Sequence, residues 1–431
     1  MASFSIPLTG LDSDSIALNT IANNLSNMST TAFKAQTTSF SALFSQQIGT
    51  TGTGDSIQQG SGVQVAANRT DFTQGTISST DCTDTDVAIN GNGFFVLGNG
   101  SGSYEYTRAG DFTTDVNGNL VSSDGKNVMG YPAMDGVVNT NAALTEINIP
   151  MNAVQAANAT ANISISANLN PAYGTSATPF SYEMNVYDSL GESHEATVTF
   201  TQTGTNTWSY SAALPAADFT SGVSTPVTGT LTFDSNGNLT QIQPAGAANP
   251  ETVGTAAGDV SSIPLAFAGL EDGANDLSMN WNVLSPSGTP SITQMDTSSA
   301  SAVSASSQDG YTSGQYQSFT IGADGTVTVT FSNGEKQNVG QLALANVTNL
   351  QGLNAVGSSD YETTNASGTA VVGIAGSMEL GSVEDGALEA SNVDISSEFS
   401  QLIIAQRAFE ADSKAVTTFD TVTQDTINMI H

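Results

Sequence analysis

Two stretches space side-chain oxygens as a cation-binding loop would. Asp115-x-Asn117-x-Asn119 and Asp234-x-Asn236-x-Asn238 alternate ligand-type residues in the manner of a calcium loop. In both, the glycine (Gly118, Gly237) falls fourth rather than sixth, and the twelfth position of the first is Lys126 where a bidentate Glu belongs. Both stretches therefore read as hairpin turns. The two histidines, His194 and His431, form no His-x-x-x-His pair and the chain has no Cys-x-x-Cys, which argues against a zinc site. No Gly-x-Ser-x-Gly elbow precedes a helix, and Gly91-x-Gly93 lacks the third glycine of a dinucleotide loop. With 40 Asp+Glu, a neighbouring carboxylate pair says nothing about glycosidase chemistry. Arg108, in a chain with 7 Lys+Arg, reads as the partner of a carboxylate that fixes a turn. No catalytic, cofactor or metal signal survives, and the chain reads as a non-enzyme.

The charge balance narrows the partners. A net charge of −33 disfavours nucleic acid, whose affinity comes largely from Lys and Arg neutralising phosphates, and disfavours an anionic membrane surface for the same reason. Cys82 is the single cysteine, so a disulfide scaffold is excluded. The N-terminus has no basic region followed by an apolar run, which reads as the absence of a cleavable signal peptide, and no stretch is apolar enough to span a bilayer. Yet 42 Gly and the surplus of Ser, Thr, Asn and Ala suit an extracellular β-rich protein, exported by a route that leaves its N-terminus intact.

The elements that must organise this chain lie at its two ends. Read as a helix, 388–431 puts Leu402, Phe409, Val416 and Ile430 on one line at multiples of seven, with Ile395, Phe399, Ala405 and Phe419 beside it. The N-terminus repeats the spacing with Leu11, Leu18 and Leu25, flanked by Ile21 and Met28. A seven-residue apolar repeat keeps one seam facing a partner helix, so the two termini are expected to pair. Thr9 or Gly10 is expected to cap the first helix. Between the helices, Asn-Gly and Asp-Gly turns and alternating runs such as 180–187 and 318–331 indicate short strands in hairpins. The expected architecture is multidomain α + β, with paired terminal helices and two nested, discontinuous, mainly-β domains. Its parts are an N-terminal core helix (1–30), a connecting arm (31–70), an inner β domain in two pieces (71–146 and 305–387), an inserted outer β domain (147–304) and a C-terminal core helix (388–431).

Three stretches resemble the flagellar rod and hook protein family, and within it the hook side. The first is Leu18-Asn-Thr-Ile-Ala-Asn-Asn-Leu-Ser-Asn27 with Thr31-Ala-Phe-Lys34, where Asn23, Asn24, Asn27, Phe33 and Lys34 carry the pattern. The second is 86–95 with 106–112, carrying Gly91, Gly93, Phe94, Phe95, Arg108, Gly110 and Phe112. The third is 386–395 with 405–409, carrying Leu388, Glu389, Ser391, Asn392, Val393, Gln406 and Arg407. Ala32 stands where the family usually has Gly. The resemblance implies a self-assembling, extracellular tubular joint of the bacterial flagellum that passes torque from rod to filament. It also implies contacts with rod, hook cap and hook-filament junction proteins, and with the type III export apparatus. The large insertion 147–304 favours hook over distal rod protein. A rival from another class, a secreted acidic carbohydrate-binding β-protein, requires an aromatic-lined cleft, and the chain has only two Trp.

Overall fold

The computed structural model describes residues 5–50, 56–80, 82–100, 102–171, 179–297, 299–377 and 379–429. The chain divides into two compact units, Met1–Met151 with Ser318–Thr330 and Lys336–His431, and Asn152–Gln317 with Phe331–Glu335. The second is thus an insertion in the sequence of the first.

Among the described residues the first unit holds both α-helices, α1 (Ser5–Ser26) and α2 (Ile395–Asn428), packed on each other. Helix α1 begins a turn earlier than expected: Thr9 does not cap it but donates its hydroxyl to the Ile6 carbonyl at 2.7 Å. Helix α2 begins later than expected. Asp394 is its N-cap, accepting from the N–H groups of Ser396 (2.8 Å) and Ser397 (3.2 Å). Residues 388–394 are extended because Asn392 bonds neighbouring backbone instead of a helix, and Leu388–Glu389 pairs with Ile77–Ser78. The arm 31–70 is a β-hairpin in which Gln36–Ala42 pairs antiparallel with Val63–Thr70, its pairing continued by Gln46–Thr50 with Ser56–Gln59.

The rest of the first unit is a mixed-connectivity antiparallel sheet centred on Lys336–Asn346, which pairs with Thr326–Phe331, Asn127–Met134, Phe94–Gly98 and Val371–Ile374. The runs on either side of Gly91 and Gly93 part company: Val87–Asn90 pairs with Ser382–Asp385, while Phe94–Gly98 pairs with Tyr104–Thr107. Phe72, Phe94 and Tyr361 cluster with ring centroids 5.4–6.1 Å apart, Phe94 meeting the other two edge-on. Lys126 has no role in a cation loop. Its ammonium bonds Glu105, Asp124 and Asp360 at 2.6–2.7 Å.

The second unit is a sandwich of a six-stranded antiparallel meander, Phe180–Tyr187 through Glu251–Thr252, and a five-stranded sheet in which Asn162–Asn168 pairs parallel with Leu277–Asn282. The unit extends past the Ser/Ala-rich stretch near 304, because Ala302–Gln308 pairs along Asn162–Asn168. Trp208 (2% exposed) and Trp281 (0%) lie inside the sandwich with Phe200 and Tyr210, so neither lines a cleft. Asp115 and Asp234 each accept from the backbone N–H two and four residues on, which spends one carboxylate oxygen on closing the hairpin.

Candidate assembly surface

The family-pattern residues from all three stretches meet at one buried carboxylate. Glu389, with its side chain 0% exposed, accepts from Lys34 Nζ at 2.6 Å and from Arg108 Nε at 2.9 Å. The Gly75 N–H adds a third bond at 2.8 Å. Arg108 turns its other nitrogens on the carbonyls of Gly91 (2.7 Å), Gly93 (2.8 Å) and Ile89 (3.3 Å). Those carbonyls face the guanidinium because Gly91 and Gly93 take φ of +113° and +120°, a region side-chain-bearing residues avoid. Gly110 is fixed by space, since a Cβ there would overlap the Val87 carbonyl oxygen. Beneath it Phe95 and Phe112 pack edge-on at 5.1 Å. Burial pushes the Lys34 amine below the usual lysine range, and its bond to Glu389 opposes the shift without cancelling it.

Two amides join this latch to the helices. Asn392 Oδ1 accepts from the Ala35 N–H (2.8 Å) while its Nδ2 donates to the Asp71 and Thr73 carbonyls, and the Asn392 N–H reaches the Phe33 carbonyl. Asn24 on α1 donates to the Gln36 carbonyl (2.8 Å) and to Glu398 on α2 (3.1 Å). Asn27 folds back on Asn23 as α1 ends.

The helices meet through small and polar side chains. On α1 the buried positions are Pro7, Ser13, Thr20, Ile21 and Asn24; on α2 they are Glu398 and Ala405. Gly10 approaches α2 so closely that a Cβ would overlap the Asp412 carboxylate. The expected leucine line Leu11, Leu18 and Leu25 is half-buried, as are Leu402, Phe409, Val416 and Phe419. Met28 (44% exposed), Ile395 (45%) and Phe399 (48%) are turned outward, so within one chain these seam positions stay open. Ile430 lies outside the described residues. Leu8, Ile403, Ile404, Val422 and Ile427 are also exposed by half or more. A notch of about 230 Å³ opens between α1, α2 and the hairpin, walled by Ala17, Ile21, Phe40 and Ile404.

Known proteins with this plan are flagellar. The domain families described as "Flagella basal body rod protein", "Flagellar hook protein FlgE/F/G D1 domain", "Flagellar basal body protein FlaE D2 domain" and "Flagellar basal body rod FlgEFG protein C-terminal" match residues 8–34, 88–168, 156–311 and 384–429. Flagellar hook protein FlgE of Salmonella typhimurium is 34% identical over 443 residues, spanning 99% of this chain and 100% of the relative. The chain belongs to the flagellar hook protein family. FlgE of Escherichia coli (34%, 99% of each chain) and of Treponema pallidum (30%, 98% of each) agree. The crystal structure of Helicobacter pylori flagellar hook protein FlgE2 shares the fold at a TM-score of 0.53 and 16% identity, covering 74% of this chain and 100% of that one.

As a structural subunit of the hook family, the chain uses its pattern residues in two ways. Asn24, Lys34, Gly91, Gly93, Arg108, Gly110, Glu389 and Asn392 build the latch; Phe94 is buried, and Phe33, Leu388, Ser391 and Val393 are half-buried. Asn23, Gln406 and Arg407 stay exposed, Arg407 paired with Glu410 one helical turn away. Sequence reasoning missed Glu398, whose one signal was a carboxylate in the first turn of a helix. No helix among the described residues is long and apolar enough to cross a membrane.

Proposed function

We propose that copies of this chain assemble through the outward faces of α1 and α2 into a tube, the flexible joint that carries torque from flagellar rod to filament. The observation that carries this reading is the apolar surface left by the helix pair: Ile395, Phe399, Ile403, Ile404, Val422 and Ile427 are each 45–69% exposed on one helix. Six large apolar side chains left in water on one helix invite burial, and neighbouring copies are the partners the family assignment supplies. The rod, hook cap, hook-filament junction and type III export proteins are the further partners the family's role implies, in an extracellular setting. Holding contacts belong to the helices, while the polar, Gly-rich β surfaces are suited to slide past their neighbours as the tube bends. Electron microscopy of the concentrated protein tests this. The full chain should form tubes and a chain lacking 395–431 should stay soluble without them; tubes from the truncated chain would refute the reading.

A further inference from the structure

The second unit holds a cluster that the assembly reading does not use. His194 faces inward because Ser193–Gly204 buries every second residue, here His194, Ala196, Val198 and Phe200. Its Nδ1 lies 2.8 Å from Asp218 Oδ2, and its Nε2 lies 3.4 Å from Asp188 Oδ2. An Nδ1–H donated to Asp218 leaves the Nε2 lone pair pointing at a second carboxylate, on a residue with no exposed side-chain surface. Asp272 brings a third carboxylate into contact with Asp188. Potential ligand atoms of Asp188, His194 and Asp272 all lie within 4.8 Å of one another. One ring nitrogen and two carboxylate oxygens therefore converge on one point.

The cluster is built in advance. Asp188 spends Oδ1 on the N–H groups of Leu190 and Glu192, and Asp272 spends Oδ1 on the Ala274 N–H, so each turn is closed without the second oxygen. The three supporting loops are tied together: Phe219 bridges Leu270, the Glu271 N–H donates to the Asp218 carbonyl, and the Asn275 N–H donates to Ser189 Oγ. An imidazole whose far nitrogen is held by a carboxylate is the arrangement that orients metal-binding histidines. Asp272 is exposed, which leaves a solvent side for water ligands.

We propose that Asp188, His194 and Asp272 bind one divalent transition-metal ion of the zinc class, with Asp218 orienting the imidazole. One nitrogen and two carboxylate oxygens suit Zn²⁺ over the all-oxygen ions Ca²⁺ and Mg²⁺. Spacing motifs miss such a site because Asp272 lies on a turn far along the chain from the hairpin that carries Asp188 and His194. The site stands independently of the assembly reading.

Titration of the full chain with Zn²⁺ in excess Ca²⁺ tests the site. One saturable Zn²⁺ per chain is expected, with Asp218→Asn weakening binding by about 10–100-fold, the usual cost of losing an orienting carboxylate. Asp272→Asn alters an exposed ligand, spares the core, and should weaken binding by at least as much. Since the chain has two histidines, nitrogen NMR should show Zn²⁺ moving the Nε2 signal of His194 and not that of His431. Zn²⁺ uptake that never saturates and is displaced by Ca²⁺ would mark adsorption on the acidic surface and overturn the proposal. So would an unmoved His194 signal, or parent-like affinity in Asp272→Asn.

Discussion

A single carboxylate, Glu389, is shared by two buried cations, Lys34 (1% side-chain exposure) and Arg108 (6%). Removing one member of a buried ion pair leaves an uncompensated charge, so Glu389→Gln should cost the first unit about 3–5 kcal/mol. Lys34→Met should cost less, because Arg108 keeps its carboxylate. Both α-helices lie in the first unit and both tryptophans in the second, so far-UV circular dichroism and Trp fluorescence report the two separately. Glu389→Gln should lower the helical transition and leave the fluorescence transition in place; a joint shift would mean the latch does not act locally. Ala32 makes a second test. It is fully buried at φ +54°, so this chain keeps a glycine-type turn with an alanine in it. Relief of about 1–2 kcal/mol of left-handed strain in Ala32→Gly is offset by glycine's entropy and one lost buried methyl, about 1–2 kcal/mol together. Near-neutrality in urea unfolding is expected for Ala32→Gly and clear destabilisation for Ala32→Val, whose branched Cβ is intolerant of positive φ. At this scale the sequence showed which residues form the pattern, and even that Arg108 pairs with a carboxylate. It could not show that Lys34, Arg108 and Glu389 share one bond network, because they are as many as 355 positions apart.

Seven-residue spacing was enough to reveal both helices, since periodicity survives without knowledge of the partner. Their facing register was not legible: Gly10 closes on Asp412 and Asn24 on Glu398, while Ile395, Phe399, Ile403 and Ile404 are left for the outside. Strand order was illegible for a related reason, as Val87–Asn90 finds its partner in Ser382–Asp385 at the far end of the sequence. The close approach has an electrostatic consequence. Asp14 Oδ2 is buried without a hydrogen-bond partner, and burial, with the Asp412 charge adding to it, raises the Asp14 carboxyl above its ordinary 3.8. A carboxyl raised on folding binds its proton more tightly in the folded chain, so the helix pair is penalised at neutral pH and relieved as pH falls through the raised value. Asp14→Asn should therefore raise the helical melting temperature at neutral pH, and that gain should shrink to nothing below pH 3.8. A gain independent of pH would place its cause elsewhere.

Assembly sets two forces of different range against each other. The exposed apolar side chains of α2 gain by leaving water, a short-range term that added salt does not weaken. Each copy also carries a formal charge of −33, and packing copies side by side brings those charges together. Such repulsion reaches about 30 Å at 0.01 M salt, about 10 Å at 0.1 M and about 3 Å at 1 M. Tube yield at fixed protein concentration should thus rise as ionic strength increases from about 0.01 M to about 0.5 M, most steeply where the screening length falls below the spacing between neighbours. Sedimentation of polymer across a NaCl series measures this. The same series on a chain with several exposed carboxylates neutralised should start from a higher yield and climb less. A yield that is flat or falls with salt would mean that the tube is held by charge pairs between copies rather than by the apolar helix faces, since attraction between opposite charges is what screening removes.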